Sequence, residues 1–222
     1  MMPPGLVIFD CDGVLVDTEP RTNAWIADQI SKPELPITAN ECRRRFVGLS
    51  MSAIRPIILK ENDVDTGADF VARWDGERSK NFAAGVDPMA GIEQALNALD
   101  DRAIPYCVAS SGTVDKMHLT LASAGLLQRL DNVLYSASIV QNGKPAPDLF
   151  LFAAQQMGFS PGNCVVIEDS PFGAAAAKAA GMTCFGYAGD PMTDASGLAK
   201  EGARLFRDMR ELFDLLAGRG AA

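Results

Sequence analysis

Short apolar runs that stop at polar residues set the rhythm of this chain. Leu6–Phe9 stops at Asp10, Ile104–Ala109 at Ser110 and Ser111, and Cys164–Ile167 at Glu168 and Asp169. The runs are partly β-branched or aromatic and show little alternation, which predicts strands buried on both faces of a helix-covered parallel sheet. Val133–Tyr135 and Thr183–Phe185 are weaker candidates. Helix-like segments lie between the runs. Thr113 can cap a helix reaching about Ala124 and closed by Gly125. Pro147 takes a first-turn position in a helix to about Met157, closed by Gly158, and Pro171 opens an alanine-rich stretch closed by Gly181. This alternation over residues 88–187 predicts an α/β, doubly wound fold.

Residues 18–86 break the rhythm. They hold no convincing strand run, but apolar residues recur at helical spacing: Trp25, Ile26 and Ile30, then Ile54, Ile57 and Ile58, then Phe70, Val71 and Trp74. We therefore expect a core of residues 1–17 and 87–222, interrupted by an all-helical insertion, 18–86, that returns through Gly85–Pro88. Trp25 and Trp74 read as packing residues of that insertion.

Composition narrows the picture. A chain of 222 residues with 48% hydrophobic and 22% charged positions is ordinary globular protein, and at this size about 70% of its surface can be buried. Twenty basic against 28 acidic side chains, a net charge of −8, argue against a nucleic-acid or anionic-lipid partner. Phosphorylated metabolites remain open if one local site is basic. The five cysteines are widely spaced without C-x-x-C, so they read as small hydrophobes in a reducing compartment. With no signal-peptide pattern and no apolar stretch of membrane length, we expect a cytoplasmic protein without membrane contact. A monomer is compatible with the sequence, which does not fix the oligomeric state.

Chemistry concentrates where the apolar runs end, because open parallel sheets place function at the carboxyl ends of their strands. Those ends carry Asp10 and Asp12, Ser110 and Ser111, and Glu168 and Asp169, with Lys144 in the loop before the Pro147 helix. Asp-x-Asp alone is weak, and Asp63 and Asp65 repeat it. Only the first copy follows an apolar run and precedes a glycine, Gly13, that lets the chain turn. Should the ends converge, like charges about 4 Å apart repel by about 4 kcal/mol per pair at an effective dielectric of 20. A hard divalent cation relieves this, and oxygen-only ligands favour Mg²⁺.

On this reading Asp10 and Asp169 are direct ligands and Asp12 a ligand through its backbone carbonyl, keeping its carboxyl for proton transfer. Glu168 is a ligand or a supporting partner. Lys144, Ser110 and nearby N–H groups face the phosphoryl oxygens. Asp10 attacks phosphorus, and Asp12 protonates the leaving oxygen and then activates water. Ser110, Ser111, Glu168 and Asp169 can also cap the helices that follow them.

Other chemistries lack their residues. The single histidine, His118, falls on the 113–124 helix, which removes H-E-x-x-H zinc sites and a Ser-His-Asp triad. G-x-S-x-G, G-x-x-x-x-G-K-[ST] and G-x-G-x-x-G are absent from the sequence. The Arg43, Arg44, Arg45 run reads as a solvated helix face.

In this order the motifs resemble the haloacid dehalogenase-like hydrolase superfamily over nearly the whole chain. DCDGVLVDTEP (Asp10–Pro20) is similar to its first motif, Ser110 in VASSG to the second, Lys144 in GKPAPDLF to the third, and Glu168 with Asp169 in VIEDSPFGAAAAKAAGM to the fourth. The resemblance implies a Rossmann-like core, a helical cap over 18–86 that closes on the site as a lid, and Asp10 and Asp12 as nucleophile and acid/base. Asp12 argues against the family's dehalogenase branch. The nearest subgroup looks like β-phosphoglucomutase and related sugar-phosphate phosphatases. Where the mutase cap offers a histidine and a basic residue, this chain has Thr22 and, around Gly48, Leu49 and Ser50, the apolar Val47 and Met51.

We therefore expect a Mg²⁺-dependent phosphatase of a small phosphorylated metabolite, a sugar or sugar-acid phosphate, working through an aspartyl-phosphate. The alternatives are a β-phosphoglucomutase-like mutase and, in another class, a receiver-type signalling domain, against which Asp12 and the cap both speak. Ser110, Ser111 and Lys144 are expected to bind substrate, with Arg21, Arg45, Ser50 and Lys80 as cap candidates.

Overall fold

The computed structural model describes residues 3–31, 36–46, 51–62 and 65–218. Two compact units emerge, Met1–Asp17 with Asp87–Ala222, and Thr18–Val86. The larger is built on a six-stranded parallel sheet. Its strands are β1 (Leu6–Phe9), β4 (Tyr106–Ser110), β5 (Leu134–Ser136), β6 (Cys164–Glu168), β7 (Thr183–Tyr187) and β8 (Arg204–Phe206). The order β5-β4-β1-β6-β7-β8 puts β1 in the middle, where all four of its side chains are fully buried. A short antiparallel pair, β2 (Val16–Asp17) and β3 (Asp87–Pro88), lies where the chain leaves and re-enters this unit.

The strand boundaries differ from the expected ones for local reasons. Pro105 has no N–H to pair, so β4 starts at Tyr106, and it runs on to Ser110, which pairs with Ser136. Val133 closes a 3-10 turn, so β5 begins one residue later. The edge strand β8 was not expected: Arg204-Leu205-Phe206 is short, and its first two residues are exposed. The β2–β3 pair was also unforeseen.

The 18–86 unit is helical, with α1 (Glu19–Ile30), α2 (Ala39–Phe46), α3 (Met51–Asn62) and α4 (Phe70–Ala83). Trp25 packs its ring against Phe70 and Trp74, and Trp74 meets Phe82 edge-on. Trp25 also donates its indole N–H to Glu77. Both tryptophans are core residues, as expected.

The larger unit's helices are α5 (Ile92–Asp100), α6 (Val114–Ser123), α7 (Leu127–Leu130), α8 (Asp148–Met157), α9 (Pro171–Ala179), α10 (Ala195–Lys200) and α11 (Leu212–Leu216). One sheet face, with Leu6, Ile8, Ala109 and Val166, packs on Leu149, Phe150 and Ala153 of α8 and on Ala174 and Ala177 of α9. The small side chains of α9 let that helix lie close to the sheet. All five cysteines are buried and free, three of them (Cys107, Cys164 and Cys184) in this core. Among the described residues no helix is long and apolar enough to cross a membrane.

Candidate active site

Parallel pairing brings the polar strand ends together. Asp10 leaves β1 with its N–H donated to the Ile167 carbonyl of β6, so Asp10, Ser110 and Glu168 stand at neighbouring strand termini. Lys144 reaches this point from the loop before α8. Its ammonium, 5% exposed, donates to Asp10 Oδ1, to Glu168 Oε1 at 2.7 Å and to the Ala109 carbonyl at 3.0 Å. One buried cation thus ties three strand ends.

The electrostatics follow from that burial. Desolvation pushes the Asp10 carboxyl up to about 7, against the pull of Lys144 and with the further push of Glu168 and Asp12. Burial alone would lower Lys144, but Asp10 and Glu168 hold its ammonium above the ordinary lysine value. Asp169 is driven well above the carboxylate range by burial, Glu168 and Asp10.

Glu168 is an organiser. Its Oε2 accepts from the Asp169 N–H (3.0 Å), the Ser170 N–H (2.9 Å) and the Ser170 hydroxyl (2.9 Å), while Oε1 holds Lys144. Ser170 in turn caps α9 by accepting from the Gly173 N–H. A Cβ on Gly173 would lie 1.7 Å from Glu168 Oε1, so only glycine admits the carboxylate there. Both Glu168 oxygens are therefore engaged by donors from this unit. The α9 cap is Ser170 rather than Glu168 or Asp169.

Gly13, at φ +78°, makes the sharp exit after the first motif. A Cβ there would sit 2.0 Å from Asp169 Oδ2, so the fourth motif's carboxylate packs on the bare Cα of the first. Ser110 is buried and accepts from the Gly112 N–H at 3.0 Å, whereas Ser111 is exposed. Thr113, not either serine, caps α6.

Asp12 has a partner that the sequence reading missed. Lys116 Nζ on α6 donates to Asp12 Oδ2 at 2.7 Å. Burial would lower this lysine, but Asp12 holds it above its ordinary value. A signal existed: a lysine in the first turn of a helix opposes the helix dipole and calls for a nearby anion.

Cap candidates fare differently. Arg21 donates to the carbonyls of Gly85 and Ala84, and Arg45 pairs with Glu61 and stacks over Phe46, so both are engaged within their own unit. Lys80 is exposed on α4. Ser50, with Val47, Gly48, Leu49 and Asp63, lies outside the described residues. The Arg43–Arg45 face is more enclosed than expected, since Arg45 is only partly exposed.

Among the described residues no three His, Cys, Asp or Glu side chains are gathered as a metal-holding group. The carboxylates turn instead to ammonium groups, Asp10 and Glu168 to Lys144 and Asp12 to Lys116. With every carboxyl ionised, the two lysines set against Asp10, Asp12, Glu168 and Asp169 would leave a formal excess of two negative charges, a repulsion that adds to burial in pushing Asp10 and Asp169 toward their neutral forms. The Asp169 carboxylate receives no hydrogen bond or ion pair from any described residue. An oxygen-only donor set with a double negative excess suits one hard divalent cation.

A family model described as haloacid dehalogenase-like hydrolase matches residues 4–181, and the chain belongs to that family. Among individual relatives, it is 30% identical over 188 residues to 6-phosphogluconate phosphatase of Escherichia coli, covering 83% of each chain. It is 33% identical over 178 residues to fructose-1-phosphate phosphatase YqaB of the same organism, covering 79% of this chain and 92% of that one. A crystal structure of a family hydrolase from Deinococcus radiodurans R1, with bound phosphate and sodium, superposes with a TM-score of 0.86 at 32% identity, covering 99% and 98% of the two chains.

Proposed function

We propose that the protein is a Mg²⁺-dependent phosphatase that hydrolyses a small phosphorylated metabolite, a sugar or sugar-acid phosphate, through an aspartyl-phosphate on Asp10. The observation that carries this reading is the joining of Asp10, Glu168 and the Ala109 carbonyl by one buried ammonium, Lys144. Family membership and relatives named as phosphatases of 6-phosphogluconate and fructose 1-phosphate support it.

The chain's own residues account for the steps. Lys144 and Ser110, with the Ser111 N–H, hold the phosphoryl oxygens. An Asp10 oxygen forms a bond to phosphorus as the bond to the leaving oxygen breaks, and Asp12 gives that oxygen its proton. Asp12 then takes a proton from water as the water oxygen bonds phosphorus and the Asp10–phosphorus bond breaks, yielding inorganic phosphate. Asp10, Asp169 and the Asp12 carbonyl would hold Mg²⁺, with Glu168 supporting them. When bound, the ion would keep Asp10 ionised and draw charge from the phosphoryl oxygens. The 18–86 unit is the proposed cap, the part that selects the leaving group.

The test is phosphate release from a panel of sugar and sugar-acid phosphates with magnesium, for the wild type and D10N. Release by the wild type and none by D10N is expected, and no release across the panel would overturn the reading. With a hexose 1-phosphate and a bisphosphate primer, free sugar and inorganic phosphate are expected. An isomerised sugar phosphate would mean a mutase.

A further inference from the structure

We propose that Lys116 is a positioning residue for the proton-transfer carboxyl, pinning Asp12 so that one side chain can serve both the leaving oxygen and the incoming water. The inference rests on the phosphatase reading above.

The geometry is a built corner. Lys116 Nζ meets Asp12 Oδ2 at 2.7 Å, 104 positions away in sequence. The lysine side chain is 19% exposed and that of Asp12 29%, so the pair is shielded from the screening that makes surface pairs weak. The lysine backbone is fixed on both sides: its N–H donates to Thr113 Oγ1 at 3.3 Å, and its carbonyl accepts from Thr120 Oγ1 at 3.1 Å. Its stem crosses a notch at Gly112, where a Cβ would stand 3.2 Å from Lys116 Cδ, 3.4 Å from Ser110 Oγ and 3.9 Å from Asp12 Oδ2. Lysine, phosphate-binding serine and acid/base therefore form one packed unit, anchored by the start of α6.

Chemistry gives this arrangement a purpose. Asp12 sits beyond the end of β1, just before Gly13, where an isolated bridge to Val16 ties the backbone but the six-stranded sheet does not reach. A carboxyl that must first donate and later accept a proton at nearly the same place needs its position set by something outside the reaction. Lys144 holds the nucleophile, and Lys116 does the corresponding work for the acid/base. The two lysines divide the two aspartates between them.

The experiment compares wild type, K116M, K116Q and K116R on an alkyl phosphate such as fructose 1-phosphate and on p-nitrophenyl phosphate, whose phenolate departs without a proton. K116M and K116Q should lose about 10- to 100-fold in kcat on the alkyl ester, part of a general acid's contribution, with KM changed less than about threefold. K116R should recover most of the loss. With p-nitrophenyl phosphate the same two variants should release about one equivalent of p-nitrophenolate per site in a fast burst. Turnover should then be slow, because dephosphorylation of Asp10 still needs the base.

On a D12N background K116M should cost less than about twofold, since the residue it positions is already disabled. Equal losses on both esters in the fast phase, a rise in KM alone, or an undiminished loss in D12N would overturn the assignment to Lys116 while leaving the phosphatase reading intact. A wild type inert toward p-nitrophenyl phosphate and toward every sugar and sugar-acid phosphate of the panel would overturn both.

Discussion

The carboxylate of Asp169 lies against the bare α-carbon of Gly13, so close that a methyl group on that glycine would fall 2.0 Å from Oδ2. The first and fourth motifs are thus fitted to each other by the absence of a side chain, and the left-handed φ of +78° gives the glycine a second reason to be there. Gly13→Ala is expected to destabilise the protein by about 1–3 kcal/mol through backbone strain and displacement of Asp169. Urea unfolding measures this, and phosphate release should fall at least about 100-fold in parallel. An active, undisturbed G13A would contradict the fitted contact.

Gly173 makes the corresponding contact with Glu168, with 1.7 Å between a built Cβ and Oε1. Gly173→Ala must push the carboxylate off Lys144 or lift the first turn of α9. Loss of about 2–4 kcal/mol is expected, somewhat less than the roughly 3–5 kcal/mol for breaking a buried ion pair outright, because the carboxylate can shift without losing every donor. Thermal unfolding of G173A beside a solvent-facing control such as Gly162→Ala checks it, because a Cβ at Gly162 meets nothing within 4 Å.

Lys144 is the shared ion-pair partner of two buried carboxylates. Lys144→Met should cost about 3–5 kcal/mol, since it leaves Asp10 and Glu168 buried and unpaired. The double variant Lys144→Met with Glu168→Gln should regain part of that stability while staying inactive. If K144M unfolds like the wild type, the central role of this ammonium is wrong.

Magnesium should stabilise the protein by mass action, about 2.7 kcal/mol at a hundredfold excess over its dissociation constant. The rise in Tm on adding Mg²⁺ should vanish in Asp169→Asn and persist in Ser111→Ala, whose residue is exposed at the rim. Chelation should abolish phosphate release, and Mg²⁺ should restore it. A Tm indifferent to Mg²⁺ in the wild type would remove the cation from the mechanism.

Much of the core was legible because its physics is local. Leu6–Phe9 reads as an inner strand since both of its faces are buried, and Asp10 marks the strand's carboxyl end, where a parallel sheet gathers polar groups. Lys144 and Glu168 could be assigned to the same place by motif order, but their hydrogen-bond partition could not. That Glu168 organises Lys144 and the α9 terminus depends on the Ser170 donors and the notch at Gly173, which appear only in three dimensions. Lys116 was missed because its partner is 104 residues away and nothing in a helical pattern names a distant anion. In the helical unit the structure adds partners that a charge does not show in sequence, Gly85 and Ala84 for Arg21 and Glu61 for Arg45. Edge strand β8 escaped because exposure erases the apolar signature on which strand reading relies.

Every cysteine side chain in the chain is buried and free of disulfides: Cys11 beside the nucleophile, Cys42 in the helical unit, and Cys107, Cys164 and Cys184 on strands β4, β6 and β7 of the sheet. A thiol-alkylating reagent therefore meets no cysteine until part of the molecule opens, and mass spectrometry of the labelled peptides would give an opening rate for each region. With one reporter under the 18–86 helices and four elsewhere, a single labelling time course would rank the two halves by kinetic robustness without any engineered probe.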